Sequence, residues 1–210
     1  MEGLLATWYA RNTLKSLADY RATAQRIAAN LPPHAAVLEV APGPGYLAIE
    51  LAKLGAYRIT GLDISQSFVR IATENAARAG AVVDFRQGEA AALPFAGDSF
   101  DLVVCRAAFK NFTDPLGALR EMHRVLRPGG RALVIDLRND ASDEAIDDIV
   151  DQMNLSAFDS FMTRVIFKHS LRKRAYSREE LAQMFAATPF GAGHFDETSL
   201  GFEIRLVKRP

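Results

Sequence analysis

The chain has 210 residues, 25 basic and 25 acidic side chains, a formal net charge of zero and a single cysteine. Balanced charge argues against a protein that binds nucleic acid through a broad basic surface, and one cysteine excludes a disulfide framework and a cysteine metal cluster. Because no apolar run is long enough to cross a bilayer and residues 1–12 lack a signal-peptide pattern, we expect a cytoplasmic protein that does not insert into membranes.

Short apolar segments alternate with amphipathic segments over the first two thirds of the chain. Apolar residues at helical spacing predict a first helix over residues 14–31, which Pro32 and Pro33 end. Strands are then predicted at residues 36–40, 57–62, 82–86, 101–105 and 132–137. Helices are predicted at residues 46–54, capped by Gly55, at 65–79, capped by Ser65 and Gly80, and at 115–126, ended by Pro128-Gly129-Gly130. This order is typical of a parallel sheet with helices on both faces.

The last seventy residues follow another pattern. Residues 140–151 are acidic and helical, residues 158–171 mix aromatic and basic side chains, and Ser177 begins a further helix through a capping box with Glu180. Two strands near residues 194–198 and 202–207 are separated by a short turn, which favours an antiparallel pair. Three acids and three bases here recur at helical spacing and predict two charged helix faces that face each other, with no metal site: Asp143, Asp147, Asp151, Arg164, Lys168 and Arg172.

The most informative segment is the glycine-rich turn after the first strand, Glu39-Val40-Ala41-Pro42-Gly43-Pro44-Gly45. Glycines let backbone approach a ligand closely, and the helix that follows offers free N–H groups at its N-terminus. Asp63 ends the next strand. Two acids that end consecutive strands can accept hydrogen bonds from the hydroxyls of a ribose, so this segment predicts a nucleotide-type cofactor site.

Four motifs together resemble those of the class I S-adenosylmethionine-dependent methyltransferases, in the type 11 or ubiquinone/menaquinone-methyltransferase-like branch. They are the turn at residues 39–45, Gly61-Leu62-Asp63-Ile64-Ser65, residues 88–95 followed by Ser99-Phe100-Asp101, and residues 124–130. The resemblance implies a Rossmann-like, doubly wound, seven-stranded, mostly parallel sheet with an antiparallel C-terminal strand. It also implies S-adenosylmethionine as cofactor and methyl transfer to a small molecule by direct in-line displacement.

On this basis the chain is expected to be one methyltransferase domain over residues 1–210. Residues 1–35 would form an N-terminal helical cap, 36–137 the cofactor-binding core, 138–176 a substrate-side helical insertion, and 177–210 a C-terminal helix and strand pair. The expected partner is a small-molecule substrate and not nucleic acid, and the expected assembly is a monomer or homodimer.

The resemblance assigns the methionine and ribose parts of the cofactor to five residues. Gly43 and Gly45 would pass under both parts, and the Glu39 carboxylate would lie near the methionine ammonium. Asp63 would accept from both ribose hydroxyls, since a carboxylate has two acceptor oxygens. Arg106 would bind the methionine carboxylate as a fork, with pairing to a neighbouring acid as the alternative.

The resemblance assigns the adenine to three further residues, and one residue departs from the pattern. Ile64 would pack on the adenine face, Glu89 would accept from its amino group, and the Ala90 N–H would serve a ring nitrogen. Ala41 stands where the family has its first glycine, and we expect its methyl to be a small intrusion into a turn that still binds.

The substrate side is less defined. The run after the fourth strand, Ala107-Ala108-Phe109-Lys110-Asn111-Phe112, contains no histidine that could act as a base. Candidates for substrate contact are Tyr9, Lys110, Asn111, Arg138 and His169. Two alternatives stay open: an NAD(P)-dependent oxidoreductase, since Gly43-x-Gly45-x-x-Ala48 also resembles that fingerprint, and a non-catalytic methyltransferase-like partner subunit.

Overall fold

A computed structural model describes residues 2, 3, 6, 7, 10, 13, 17–152, 157–168 and 172–209. Within these residues, seven strands form one sheet: β1 Ala36–Val40, β2 Arg58–Asp63, β3 Asp84–Gln87, β4 Phe100–Arg106, β5 Leu126–Leu137, β6 His194–Glu197 and β7 Gly201–Val207. Their order is β3-β2-β1-β4-β5-β7-β6. Strands β1 to β5 pair in parallel, and β7 runs antiparallel to both β5 and β6. The predicted fold class is confirmed.

Helices cover both faces of this sheet. They are α1 Leu17–Ala28, α2 Tyr46–Ala52, α3 Gln66–Ala79, α4 Pro115–Val125, α5 Asp143–Gln152, α6 Ala157–Ile166, α7 Arg172–Arg174 and α8 Arg178–Ala186, with a 3₁₀ turn at Phe109–Asn111. Successive residues of β4 point to opposite faces, as strand geometry requires. Val103 joins the apolar cluster that contains Leu119 of α4 and Phe185 of α8. Leu102 joins the cluster that contains Ile27 of α1 and Leu47 of α2.

Several predicted boundaries are confirmed. β1 has the predicted bounds, and α3 is capped as predicted: Ser65 Oγ accepts from Phe68 N at 3.2 Å, and Gly80 has φ 63°. One cap was wrong, because α2 ends at Ala52 with Lys53 as its C-cap. Gly55 serves packing instead, since a Cβ there would lie 2.9 Å from Cζ of Tyr57.

The segment Pro128-Gly129-Gly130, part of the fourth motif, was predicted to end a helix and to precede a strand that begins at residue 132. α4 does end at Val125, but the segment belongs to β5, which begins at Leu126. Gly129 N donates to Lys208 O at 2.8 Å, and Lys208 N donates to Gly130 O at 2.9 Å. The start of β5 is therefore held by hydrogen bonds to the chain after β7, a partner that local sequence does not reveal. Gly129 accommodates the turn with φ 79°.

The acidic and basic residues of the segment after β5 do face each other. Lys168 Nζ lies 2.9 Å from Asp147 Oδ2 and 3.5 Å from Asp143 Oδ2, and Arg172 lies 2.6 Å from Asp143. Arg164 contacts Asp147 at 3.1 Å. These ion pairs join α5 to the segment that follows it.

The described residues contain neither a membrane-spanning helix nor a metal-binding cluster. No helix in the described part is long and apolar enough to cross a membrane. No group of three or more His, Cys, Asp or Glu side chains among the same residues is arranged to hold a metal ion.

The predicted capping box of α8 is confirmed and gives a test of how the helix is held. Ser177 Oγ accepts from Glu180 N at 3.2 Å, and Glu180 Oε2 accepts from Ser177 N at 2.7 Å. We expect Ser177→Ala to lower the free energy of unfolding by about 1 kcal/mol in urea denaturation, because it removes the acceptor for an orphan helix N–H. Ser177→Asp, which keeps an acceptor, should stay close to wild type. A Ser177→Ala variant as stable as wild type would contradict this role.

Candidate functional site

The candidate site lies where β1, β2 and β4 end on one edge of the sheet. Glu39 of β1 is buried, with 3% of its surface exposed, and its Oε2 accepts from Ala48 N of α2 at 2.9 Å. Burial raises the pKa of Glu39 to about 8, even though the Ala48 N–H and the charge of Arg106 oppose the shift. Nearby Asp63 raises this pKa further. The carboxyl group is thus proton-bearing at neutral pH until a positive group approaches it.

The turn after β1 is built from left-handed backbone. Ala41, Gly43 and Gly45 have φ values of 56°, 54° and 80°. Left-handed backbone costs an L-residue such as Ala41 roughly 1–2 kcal/mol. The expectation that Ala41 is only a small steric intrusion therefore missed the larger effect, which is backbone strain. The Ala41 N–H donates to Leu62 O at 2.8 Å and helps to hold this conformation.

The two glycines of the turn face different surroundings. A Cβ at Gly45 would lie 2.6 Å from Cζ of Phe85 and 2.9 Å from Cβ of Ala72, so this position is closed by the core. A Cβ at Gly43 would meet nothing within 4 Å. Gly45 therefore serves packing, whereas Gly43 leaves open space beside the turn in which a ligand could lie.

Asp63 connects the end of β2 to this turn. It is 5% exposed, its Oδ2 accepts from Gly43 N at 3.0 Å, and its Oδ1 accepts from Ser65 N at 2.9 Å. Burial raises the pKa of Asp63, and these two backbone N–H groups partly offset that effect. Each oxygen keeps a second lone pair for another donor. The geometry is suited to accepting from a pair of hydroxyls.

Next to Asp63 the edge becomes apolar and then acidic. The side chain of Ile64 is 60% exposed although it follows a buried strand. Gly88 N donates to Asp63 O at 3.0 Å, which brings exposed Glu89 and buried Ala90 to the same end of the sheet. The structure therefore places these three predicted residues beside Asp63.

The first residues of the chain also reach this site, through residues that the sequence analysis did not single out. Glu2 Oε2 accepts from Ser67 N at 3.1 Å, and the charge of Glu2 raises the pKa of Asp63. Tyr46 OH donates to Ala10 O at 3.0 Å. Tyr46 is the first residue of α2, so the sequence does show an aromatic side chain directly after the glycine-rich turn.

Arg106, at the end of β4, has a partner within the chain. Its guanidinium pairs with Asp19 of α1 and lies 4.0 Å from the ring centroid of Tyr20. The alternative that it pairs with a neighbouring acid is therefore realised, with an acid from a distant part of the sequence. Arg106 ends β4, which pairs with β1 beside Glu39, and its charge lowers the pKa of Glu39.

The candidates for substrate contact differ in whether other residues of the chain already engage them. Lys110 forms a buried ion pair with Asp136 at 2.7 Å, and Arg138 pairs with Asp140 at 2.5 Å and Glu197 at 3.0 Å. These two candidates are engaged by acids of the chain itself. Asn111 is exposed. Tyr9 and His169 lie outside the described residues.

The central part of the chain is similar to known methyltransferases. Residues 38–134, a little under half of the chain, match a family model described as a methyltransferase domain. The demethylmenaquinone methyltransferase of Chlorobaculum parvum is 37% identical over 100 residues, which cover 48% of this chain and 40% of that protein. The ubiquinone/menaquinone biosynthesis C-methyltransferase of a Marinomonas species is 36% identical over 120 residues, covering 55% and 47%. The chain thus matches less than half the length of these curated relatives.

Solved structures extend the likeness to nearly the whole fold. A putative S-adenosyl-L-methionine-dependent methyltransferase from Methanococcus maripaludis superposes with a TM-score of 0.80 at 22% identity, covering 98% of this chain and 92% of that chain. A putative methyltransferase from Bacillus halodurans gives a TM-score of 0.66 at 20% identity, covering 90% and 99%. At this level of identity the likeness concerns the fold alone.

The contrast between the two glycines gives a matched pair of variants. We expect Gly45→Ala to lower the free energy of unfolding by about 3 kcal/mol or more, because strain of roughly 1–2 kcal/mol is joined by overlap with Phe85 and Ala72. Gly43→Ala should show the strain alone. Urea denaturation of both variants measures the difference. Equal losses would contradict the assignment of Gly45 to packing.

The raised pKa of Glu39 predicts a pH-dependent contribution to stability. The folded state holds the proton up to about pH 8, whereas the unfolded state loses it near 4.5, so the contribution of this group falls as pH rises through that window. We expect Glu39→Gln to gain stability relative to wild type by up to ~1.4 kcal/mol per pH unit between pH 5 and pH 8.

Urea denaturation at several pH values measures this difference, and Glu50→Gln is the matched control. Glu50 is also buried on α2, but Lys53 and Arg21 outweigh burial and hold its pKa below the ordinary value. Its contribution is fully present above the unfolded pKa and is lost only in acid, so its difference from wild type should be constant from pH 5 to pH 8. A constant difference for Glu39→Gln as well would refute the buried-proton account.

Proposed function

We propose that this chain, a member of the class I S-adenosylmethionine-dependent methyltransferases by its methyltransferase domain at residues 38–134, moves the methyl group of S-adenosylmethionine onto a small molecule. The observation that carries the proposal is the arrangement of Glu39 and Asp63. These two buried carboxyl groups flank a turn that is open at Gly43. A ligand with an ammonium group and two hydroxyls meets both acids and passes over the glycine.

The residues of the site fit this cofactor in charge and in shape. We propose that Glu39 holds the methionine ammonium, because a positive charge stabilises the ionised form that burial disfavours. Asp63 takes the ribose hydroxyls on the lone pairs that Gly43 N and Ser65 N leave available.

The adenine and carboxylate contacts follow from neighbouring residues. Exposed Ile64 offers an apolar surface to the adenine face, and Glu89 and the Ala90 N–H serve its edge. Arg106 can keep Asp19 and still bind the methionine carboxylate, because a guanidinium has five N–H donors. Ala41 and Gly45 shape the turn without contacting the ligand through a polar group.

Methyl transfer from a sulfonium needs no general acid, and it needs a general base only if the acceptor must lose a proton. When bound, the cofactor supplies a methyl group on a sulfonium, and the departure of that methyl leaves a neutral thioether. The run that follows β4 contains one titratable side chain, Lys110, and it is engaged in a buried ion pair. We therefore propose that the chain acts by holding the acceptor in line, an entropic effect that can contribute roughly 7–11 kcal/mol.

For the acceptor we propose a small apolar molecule. The names of the curated relatives above refer to demethylmenaquinone and to ubiquinone/menaquinone biosynthesis, although the match covers less than half of their length. In this chain, half-buried Phe112 and Tyr176 stand 5.5 Å and 6.0 Å from Phe109, between ring centroids, next to the end of β4. Aromatic side chains at this position favour a flat apolar acceptor. Action in the cytoplasm and a monomeric or homodimeric state stay predictions.

The two alternatives are less well supported. A dinucleotide-binding sheet has the order 3-2-1-4-5-6 with parallel strands, whereas here antiparallel β7 lies between β5 and β6. A non-catalytic partner subunit has no use for two buried carboxyl groups, whose burial costs stability.

Isothermal titration with adenosylhomocysteine tests the proposed cofactor. We expect saturable binding by the wild type, and a loss of about 1–3 kcal/mol in binding free energy for Asp63→Ala, because hydrogen bonds to a charged group are removed. Asp84→Ala is the matched control, since Asp84 is an exposed acid on neighbouring β3. Binding of NADH in place of adenosylhomocysteine would support the oxidoreductase. Co-purification with a second chain, without binding of adenosylhomocysteine, would support the non-catalytic subunit.

A further inference from the structure

A second pair of buried charges lies at the same edge of the sheet, one strand beyond the cofactor residues. The Lys110 side chain is 3% exposed, and its Nζ donates to Asp136 Oδ1 at 2.7 Å and to Ala107 O at 2.8 Å. Removing an ammonium group from water is costly unless it is paired and hydrogen-bonded. An exposed position for Lys110 would avoid that cost, so the burial of this side chain calls for an explanation.

Asp136 completes a closed network. Its carboxylate is 8% exposed and also accepts from two backbone groups, Lys110 N at 3.0 Å and Leu137 N at 2.8 Å. One carboxylate therefore joins the last residues of β5 to the 3₁₀ turn that follows β4. A buried ion pair that is joined to several further hydrogen bonds in this way defines geometry more than it adds stability.

The segment that this network holds is strained. Ala107 has φ 58°, and its carbonyl is the one that receives the Lys110 ammonium. Its N–H donates to Ile135 O at 2.7 Å. A left-handed residue other than glycine persists only where its surroundings fix it, and such residues concentrate at functional sites. Ala107 directly follows Arg106, which lies near Glu39.

The order of the strands indicates which end of the proposed cofactor lies next to the segment after β4. Asp63 ends β2, Glu39 ends β1 and Arg106 ends β4, and these are three neighbouring strands. With the ribose at Asp63 and the ammonium at Glu39, the β4 side receives the remainder of the methionine part and the acceptor. This step rests on the proposed function.

We propose that Lys110 and Asp136 are positioning residues that fix the turn at residues 106–111 against the methionine end of the bound cofactor. They touch neither cofactor nor acceptor. They act through Ala107 and Arg106, whose backbone they hold in one conformation. This role replaces the expected substrate contact of Lys110, because its side chain is only 3% exposed and its ammonium group already donates to Asp136 and Ala107.

Two ligands separate positioning from general stability. Adenosylhomocysteine carries the amino acid part, and 5′-methylthioadenosine lacks the amino and carboxyl groups but keeps the ribose and adenine. The test variant is Lys110→Met combined with Asp136→Asn, which removes both charges together so that neither is left buried alone. We expect it to bind adenosylhomocysteine on the order of tenfold more weakly, because the turn shifts, and methylthioadenosine as the wild type does. Asp63→Ala is the control and should weaken both ligands alike.

Each outcome decides. An equal loss for both ligands, or no loss for either, would overturn the proposal while leaving the cofactor assignment intact. A wild type that binds neither ligand would overturn the proposed function as well, and is thereby distinguished. If the double variant does not fold by circular dichroism, Lys110→Gln combined with Asp136→Asn replaces it. This pair is also neutral, so no charge is left buried alone. Because Gln is one atom shorter than Lys, its contact with the Ala107 carbonyl is weakened, and the same selective loss of adenosylhomocysteine is expected.

Discussion

The clamping of one left-handed turn by two buried carboxyl groups is the interaction on which the site depends. Asp63, from the end of β2, accepts from Gly43 N within the turn. Glu39, from the end of β1, accepts from Ala48 N beyond the turn. Three residues of positive φ in a span of five would be unstable without such partners. Because β1 and β2 pair in parallel, their ends meet at one edge, and both acids reach the same turn.

The burial of Glu39 and Asp63 makes their ionisation costly and also prepares the site for a ligand. Burial raises the pKa of both acids, which costs stability in the empty site when the carboxyl groups ionise. A ligand that brings a positive charge or hydroxyl donors offsets this cost at the moment of binding. The open side of Gly43 and the exposed side chain of Ile64 mark where that ligand makes contact. Functional sites commonly sacrifice stability in this way.

The edge continues through β4 and β5 with a second clamp of opposite design. At Asp63 and Glu39 the acids accept from backbone N–H groups, so a cation or hydroxyl donor of a ligand can still engage them. At Asp136 the acid meets the ammonium of Lys110, so the pair is neutral and directed inward. We propose that Glu39 and Asp63 bind the ligand, whereas Asp136 and Lys110 hold the backbone of the turn after β4. α1 closes the remaining side, because Asp19 pairs with Arg106 across the end of β4.

Some features of the molecule could be predicted from the sequence, because they depend on neighbours along the chain. The strand periodicity of residues 36–40, the caps Ser65 and Gly80 and the capping box at Ser177 all arise from interactions within four residues. The motif order was informative for the same reason, since each motif is a local backbone shape at the end of a strand. Tyr9 and His169 lie outside the described residues and stay predictions.

Other features were decided only by the tertiary structure. The partners of Arg106 and Lys110, and the reach of Glu2 to Ser67, join residues far apart in sequence. The sequence does not distinguish a charged side chain that faces a ligand from one that faces water or a distant acid. The extension of β5 back to Leu126 likewise depends on distant partners, which are Phe100 of β4 at Leu126 and the chain after β7 at Gly129 and Gly130. The sequence by itself determined the fold and the local shape of the turn, through periodicity and backbone preference. Which charges are engaged by the protein and which remain for a ligand was decided by packing, because pairing depends on distances that only the folded chain sets.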